Sequence, residues 1–110
     1  MDVSDIAELN LNDSLIVQTL VNSACEVELL VDYILDYSSQ ETALHRLIFQ
    51  DCLSAELQLN LAFQGPNSIL EGHEEPEPNG YRKFTIETNT TASLLIITAK
   101  QLKIMPASLG

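Results

Sequence analysis

The feature that most constrains the fold is an alternation of apolar and polar residues with a period of two. Across 53–63 nearly every second residue is a leucine, alanine or phenylalanine, and 27–33 repeats the pattern with valine, leucine and tyrosine. Successive side chains of a strand point to opposite faces, whereas a helix would put Leu53 and Leu57 on one side and Ala55 and Leu59 on the other. The pattern therefore predicts β-strands, the clearest of them over 53–63.

Further strands are predicted over 14–21, 44–49, 84–88, 94–99 and 102–104. Turn-like residues at 22–24, 36–42 and 89–93 separate them, and such short connections favour antiparallel neighbours. Segment 64–80 holds three of the four prolines and three of the four glycines, which predicts an acidic Pro/Gly-rich loop. Near the N-terminus, apolar residues three positions apart predict a short helix, with Ser4 as its cap.

The predicted fold is a single domain over 1–110, mainly β (β or α+β). We expect an antiparallel meander of about six or seven strands with a short N-terminal helix. A sheet with one apolar face must cover that face. It can do so by curling into a sandwich or small barrel, or by forming a homodimer.

The charge is strongly negative and unevenly distributed. Sixteen acidic residues face five basic ones, for a formal net charge of -11. Residues 1–79 contain fifteen acids and only Arg46 as a base, a net of -14, whereas 80–110 contain four bases and one acid, a net of +3. Because phosphate binding needs clustered lysine and arginine, we expect neither a nucleic-acid partner nor an anionic membrane surface.

The termini and cysteines favour a cytoplasmic protein. The first twelve residues carry three acids and no base, unlike a secretory signal, and no window approaches a membrane-spanning length. Cys25 and Cys52 lie 27 positions apart without metal or redox spacing. We interpret them as small buried hydrophobic residues, although an oxidising compartment would allow them to pair.

Few residues suggest chemistry. His73, Glu74, Glu75 and Glu77 form the most suggestive metal-binding cluster, but their spacing fits no known loop pattern, and we interpret them as solvated acids. His45 could serve a nucleophile such as Cys52 with Asp51, yet nothing in the sequence brings the three together. Neighbouring Arg46 is expected to form a structural ion pair. We therefore predict no enzyme, no cofactor and no metal.

Several short motifs follow one another along the chain in an order that is known from other proteins. They are Asn-Asp-Ser-Leu-Ile at 12–16, the alternating strand at 27–33, Leu-Ile-Phe-Gln-Asp-Cys at 47–52, Ser-Ile-Leu at 68–70, Phe-Thr-Ile at 84–86 and Ile-Ile-Thr-Ala at 96–99. This order resembles small acidic bacterial β-proteins, among them immunity proteins of polymorphic toxin systems. Many of those have His-Asp-Ser at the first strand, where this chain has Asn12. The resemblance implies binding and blocking of a toxin, not catalysis.

The leading functional hypothesis is a non-catalytic protein that binds a basic protein partner. Acidic surfaces accelerate association with such partners and can mimic a phosphate backbone. The candidate contacts are carboxylates of the second strand and of the 64–80 segment: Glu26, Glu28, Asp32, Asp36, Glu71, Glu74, Glu75 and Glu77. The alternatives are a structural or regulatory homo-oligomer whose acidity serves solubility, and a small ligand-binding barrel or enzyme.

Overall fold

The computed structural model describes residues 1–60, 62, 67–89 and 92–107. It consists of eight antiparallel strands in one sheet and two short 3₁₀ helices, Ile6–Glu8 and Pro78–Gly80. The predicted mainly β, antiparallel class is therefore confirmed. Neither helix in this part of the chain is long or apolar enough to cross a lipid bilayer. The strands are β1 Leu15–Val21, β2 Val27–Asp36, β3 Glu41–Gln50, β4 Ser54–Gln58, β5 Asn67–Pro76, β6 Arg82–Thr88, β7 Leu94–Ala99 and β8 Gln101–Pro106.

The sheet consists of two three-stranded meanders, β1-β2-β3 and β5-β6-β7, and the strand that follows each meander along the chain pairs with the other meander. The strand order is β4-β7-β6-β5-β1-β2-β3-β8, so β4 lies beside β7 and β8 beside β3. The β3–β4 and β7–β8 connections are short, and backbone hydrogen bonds join them at Leu53 N to Thr98 O (2.8 Å) and Lys100 N to Gln50 O (3.1 Å). Strands that pass from one half to the other in this way make the corners of a folded sheet.

The two halves enclose one core. Val27, Leu29, Leu47 and Leu102 from β2, β3 and β8 are buried with Ile69, Phe84, Ile86, Leu95 and Ile97 from β5, β6 and β7. Phe49 and Phe84 meet edge to face, with ring centroids 5.1 Å apart. The sheet thus covers its apolar face by curling onto itself, which is one of the predicted solutions. The edge strands β4 and β8 do not pair with each other, so the described sheet does not close into a barrel.

The N-terminal segment fills the gap between the halves. Asp2 bridges to Lys103 and thereby covers part of the β8 edge. Ile6 and Leu11 then pack over Gly72 of β5, where an added Cβ would lie only 2.8 Å from Leu11 Cδ1. Glycine at this position lets the segment approach the strand closely. The helix in this segment is confirmed as a single 3₁₀ turn, but its cap is Asp5 rather than Ser4.

Segment 64–80 was wrongly predicted as a loop. Residues 67–76 form β5, a central strand, and 64–66 lie outside the described residues. The hairpin to β6 turns through Asn79 and Gly80, both with positive φ, and this Asn-Gly pair is the typical signal of a tight hairpin. The strand predicted over 53–63 extends only over Ser54–Gln58 in the described part, and it is mostly exposed because it lies at an edge.

Candidate functional site

The acidic residues lie on the outside of the folded sheet. Eleven of the sixteen are exposed and the other five are half-buried, so the negative charge is largely available at the surface. Seven of the eight predicted contact residues fall into two groups on this surface. The β2 acids are Glu28, Asp32 and Asp36 of that strand, with Glu26 directly before it, and the hairpin acids are Glu71 and Glu75 of β5 with Glu77 of the following turn. Glu87 of β6, which was not predicted, joins the hairpin acids, whereas the predicted Glu74 points inward.

The β2 acids follow from strand alternation. Because Val27, Leu29 and Val31 point into the core, the residues between them point outward. Glu28 pairs with Arg46 at 3.2 Å, which confirms the predicted ion pair of that arginine. The outer face of β2 is therefore partly neutralised near the start of the strand.

Two of the β2 acids are held by hydrogen bonds. Side-chain hydrogen bonds from Asn22 and then Gln50 lower the pKa of Glu26, with a smaller contribution from Lys103. Hydrogen bonds from the hydroxyl and backbone N–H of Ser38 lower the pKa of Asp36. Both carboxyls therefore favour the ionised form more than a free side chain does.

A β-bulge orders the hairpin acids. The β5–β6 register shifts between Ile69 and Glu71, leaving Leu70 as the extra residue. Ile69 is buried and Gly72 faces the N-terminal segment, so the bulge places Glu71 on the outer face together with His73 and Glu75. Glu71 consequently lies directly opposite Glu87, a pairing of like charges that is unfavourable in a sheet.

Three side chains of this hairpin could hold a divalent cation. One ligand atom each from Glu71, His73 and Glu87 lies within 4.8 Å of the others. Imidazole nitrogen with carboxylate oxygen suits zinc and related metals. However, His73 Nε2 is 3.7 Å from Glu87 Oε1, and when protonated it would neutralise that carboxylate itself. The cluster alone therefore does not indicate a metal site.

The metal-binding cluster suggested by the sequence is split between faces. His73 and Glu75 point outward, whereas Glu74 between them points inward and forms a two-pronged ion pair with Arg82 at 2.7 and 2.8 Å. Glu74 also accepts a hydrogen bond from Ile6 N at 2.8 Å. Glu74 thus fastens the N-terminal segment to β5 and β6, and it has little capacity left for a partner.

The groups that a catalytic histidine would need are also apart. His45 lies against Tyr33 in the middle of β3, with ring centroids 5.0 Å apart. Cys52 and Asp51 follow the end of that strand. A surface pocket of about 520 Å³ lies elsewhere, at the turn of the hairpin, and is lined by Leu53, Glu77, Pro78, Asn79, Tyr81 and Thr98.

The Asn-Asp-Ser step before β1 has a structural role. Ser14 is fully buried; its hydroxyl donates to Asn10 O at 2.7 Å and accepts from Ile34 N at 3.2 Å. Asp13 adopts a left-handed backbone, and Asn12 donates its side-chain amide to Leu70 O. This turn therefore ties the start of β1 to both neighbouring strands, β5 and β2.

Sequence reasoning missed one member of the hairpin acids. Glu87 is the lone acid of the basic C-terminal segment, and only the pairing of β6 with β5 places it beside Glu71 and His73. No protein-family model matches the sequence, and the comparison with curated proteins finds no match.

Proposed function

We propose that this protein is a non-catalytic binding protein that neutralises a basic protein partner. The observation that supports this proposal is that both arginines form ion pairs within the protein. Arg46 pairs with Glu28 and Arg82 pairs with Glu74, so neither guanidinium offsets the exposed acids. The exposed acids are left in excess, and a surface of one sign attracts partners of the other.

The hairpin acids are the centre of the proposed contact surface. Glu71, Glu75 and Glu87 lie on paired strands, so their spacing is set by the sheet, and Glu77 lies in the turn that joins those strands. Rigid presentation limits the entropy that binding has to remove. Only Lys83, opposite Glu75, places a positive charge within the β5–β6 ladder on that face. The proposed surface also includes Asp32 and Asp36 of β2, the strand that β1 separates from β5.

The resemblance noted in the sequence gives the partner a chemical class. Immunity proteins bind toxins, and a toxin that acts on nucleic acid is itself basic. We therefore propose a basic toxin of nuclease type as the partner and the bacterial cytoplasm as the compartment.

The test measures binding to the product of the neighbouring gene at about 50 and about 300 mM NaCl, which differ in electrostatic screening. The variant Glu71→Gln/Glu75→Gln/Glu77→Gln removes three charges from the hairpin. The control Asp2→Asn/Glu41→Gln/Asp51→Asn removes three charges from other exposed positions. We expect the hairpin variant to lose affinity at least about tenfold, and the control less than about threefold.

Three results would contradict the proposal. They are no binding at all, an affinity that salt leaves unchanged, and equal losses in the two triple variants. The last would show that net charge, rather than a directed surface, carries the attraction. If binding is found, a second assay tests neutralisation. Cells that express the partner should survive when they also express the wild-type chain.

The free edge of β4 favours a second candidate, a homodimer. The outer side of β4 has no strand partner in the described chain, and Leu53 and Leu59 at its ends are 65% and 40% exposed. Unpaired edges of this kind recruit a second strand. Sedimentation of wild type and Leu53→Lys distinguishes the cases: a dimer that the substitution dissociates supports self-association, and a monomer excludes it.

A further inference from the structure

The fold brings together the two cysteines that the sequence keeps 27 positions apart. Cys25 lies in the β1–β2 turn and Cys52 in the connection from β3 to β4. The backbone N–H of Cys52 donates to the carbonyl oxygen of Cys25 at 2.9 Å. Both side chains are free thiols. The prediction of two buried cysteines is therefore wrong for Cys25, which is exposed, while Cys52 is half-buried against the core.

The register explains why these two residues meet. Val27 pairs with Phe49, so an unbroken ladder would bring Asp51 opposite Cys25. Asp51 instead has a left-handed backbone, with φ of 54°, and the hydrogen bond shows that Cys52 takes the opposing place. Asp51 is thus the extra residue of a bulge-like corner.

This placement fits the distance that a disulfide requires. Residues of a regular antiparallel pair that exchange both backbone hydrogen bonds have Cα atoms about 5.5 Å apart, and the single bond from Cys52 N to Cys25 O brings these two backbones into the same range. Disulfides span Cα separations of about 4.4–6.8 Å. The Cys52 thiol lies next to this backbone, since its Sγ donates to Phe49 O at 3.3 Å.

We propose that Cys25 and Cys52 form a reversible intramolecular disulfide by exchange with a low-molecular-weight disulfide of the glutathione type. The Cys25 thiol loses its proton to solvent, and its thiolate attacks one sulfur of the small disulfide. That bond breaks, one small thiolate leaves, and a mixed disulfide forms on Cys25. The Cys52 thiolate, after losing its own proton, attacks Cys25 Sγ and releases the second small thiolate.

The exchange is balanced in atoms and electrons. The two protein thiols lose two electrons and two protons, and the small disulfide gains them as two thiols. The order of attack follows exposure, because Cys25 is open to solvent. Burial, followed by the nearby Cys25, Glu26 and Asp51, raises the pKa of Cys52, so closure of the bond accelerates as the pH rises.

The bond would fasten two corners of the sheet. It would tie the β1–β2 turn to the point where the chain passes from β3 into the edge strand β4. A cross-link that closes a loop of this length restricts the unfolded chain and so stabilises the folded one. This redox site is independent of the proposed partner binding, and its test does not involve a partner.

The test incubates wild type, Cys25→Ser and Cys52→Ser with oxidised glutathione, followed by an alkylating quench and intact-mass measurement. We expect the oxidised wild type to weigh two hydrogen atoms less than the unalkylated dithiol and to take up no alkyl group in the quench. We also expect its melting temperature to rise by about 5–15 °C and to return with dithiothreitol. Cys52→Ser should accumulate the glutathione adduct on Cys25, and Cys25→Ser should react more slowly because its remaining thiol is half-buried.

The pH dependence of the reaction provides a further check. Repeating the incubation at higher pH should accelerate formation of the disulfide in wild type. The proposal is overturned by a wild-type chain that remains a dithiol, that stops at the glutathione adduct, or that cross-links to a second chain instead. Circular dichroism of each serine variant before oxidation establishes that it is folded.

Discussion

Replacing Glu74 with glutamine tests whether this carboxylate holds the N-terminal segment to the sheet. Glu74 accepts two hydrogen bonds from Arg82 and one from Ile6 N, all between 2.7 and 2.8 Å. Arg82 also donates to the carbonyl oxygens of Val3 and Ser4, both at 3.0 Å. Glutamine keeps the size of the side chain but removes its charge and turns an amide N–H₂ toward the guanidinium.

The expected loss of stability follows from how far the two side chains are exposed to solvent. The Glu74 and Arg82 side chains are only 15% and 21% exposed, so the pair lies between the surface and buried limits. Surface pairs contribute about 0–1 kcal/mol, and breaking a buried pair costs about 3–5 kcal/mol. We therefore expect Glu74→Gln to lower the free energy of unfolding by about 2–3 kcal/mol. For a domain of this size, that lowers the melting temperature by about 8–12 °C.

The adjacent Glu75 is a matched control. It is the same residue type on the opposite face of β5, exposed and across from Lys83. Urea and thermal unfolding of Glu74→Gln, Glu75→Gln and Arg82→Lys measure the comparison, and we expect Glu75→Gln to change stability by less than about 0.5 kcal/mol. Equal effects of the two glutamate substitutions, or an unaffected Arg82→Lys, would refute the structural role of this ion pair.

Two further predictions concern the β1 turn and the β2 acids. Ser14→Ala leaves the N–H of Ile34 without its acceptor, so urea unfolding should show a loss of about 1–3 kcal/mol, whereas Ser23→Ala in an exposed turn should be neutral. Because the pKa of Glu26 is lowered from 4.5, its contribution is complete above that pH and is lost as the pH falls through the folded-state pKa. Stability measured from pH 6 to pH 3 should therefore fall less steeply in Glu26→Gln than in wild type, and identical slopes would contradict this reasoning.

The alternation predicted most of the strands because burial on one face acts on every second residue. β2, β6 and β7 lie where their patterns placed them, since each has one side against the core, and β1 also lies where predicted although only Ile16 of that strand is buried. β5 escaped prediction for two physical reasons. Its bulge at Leu70 interrupts the period of two, and its inward positions include Gly72 and Glu74, which look polar in sequence. The inward position of the half-buried Glu74 is recognisable only when its partner Arg82 is known.

The sequence by itself determined the fold class, the outward position of the β2 acids and the sign of the surface charge, because these depend on local alternation and composition. The tertiary structure decided which distant residues meet. Glu87 joins Glu71 and His73 through the pairing of β5 with β6, and Cys25 meets Cys52 through a one-residue shift at Asp51. Such contacts depend on strand order and register, and these are fixed by the packing of the whole core rather than by any segment alone.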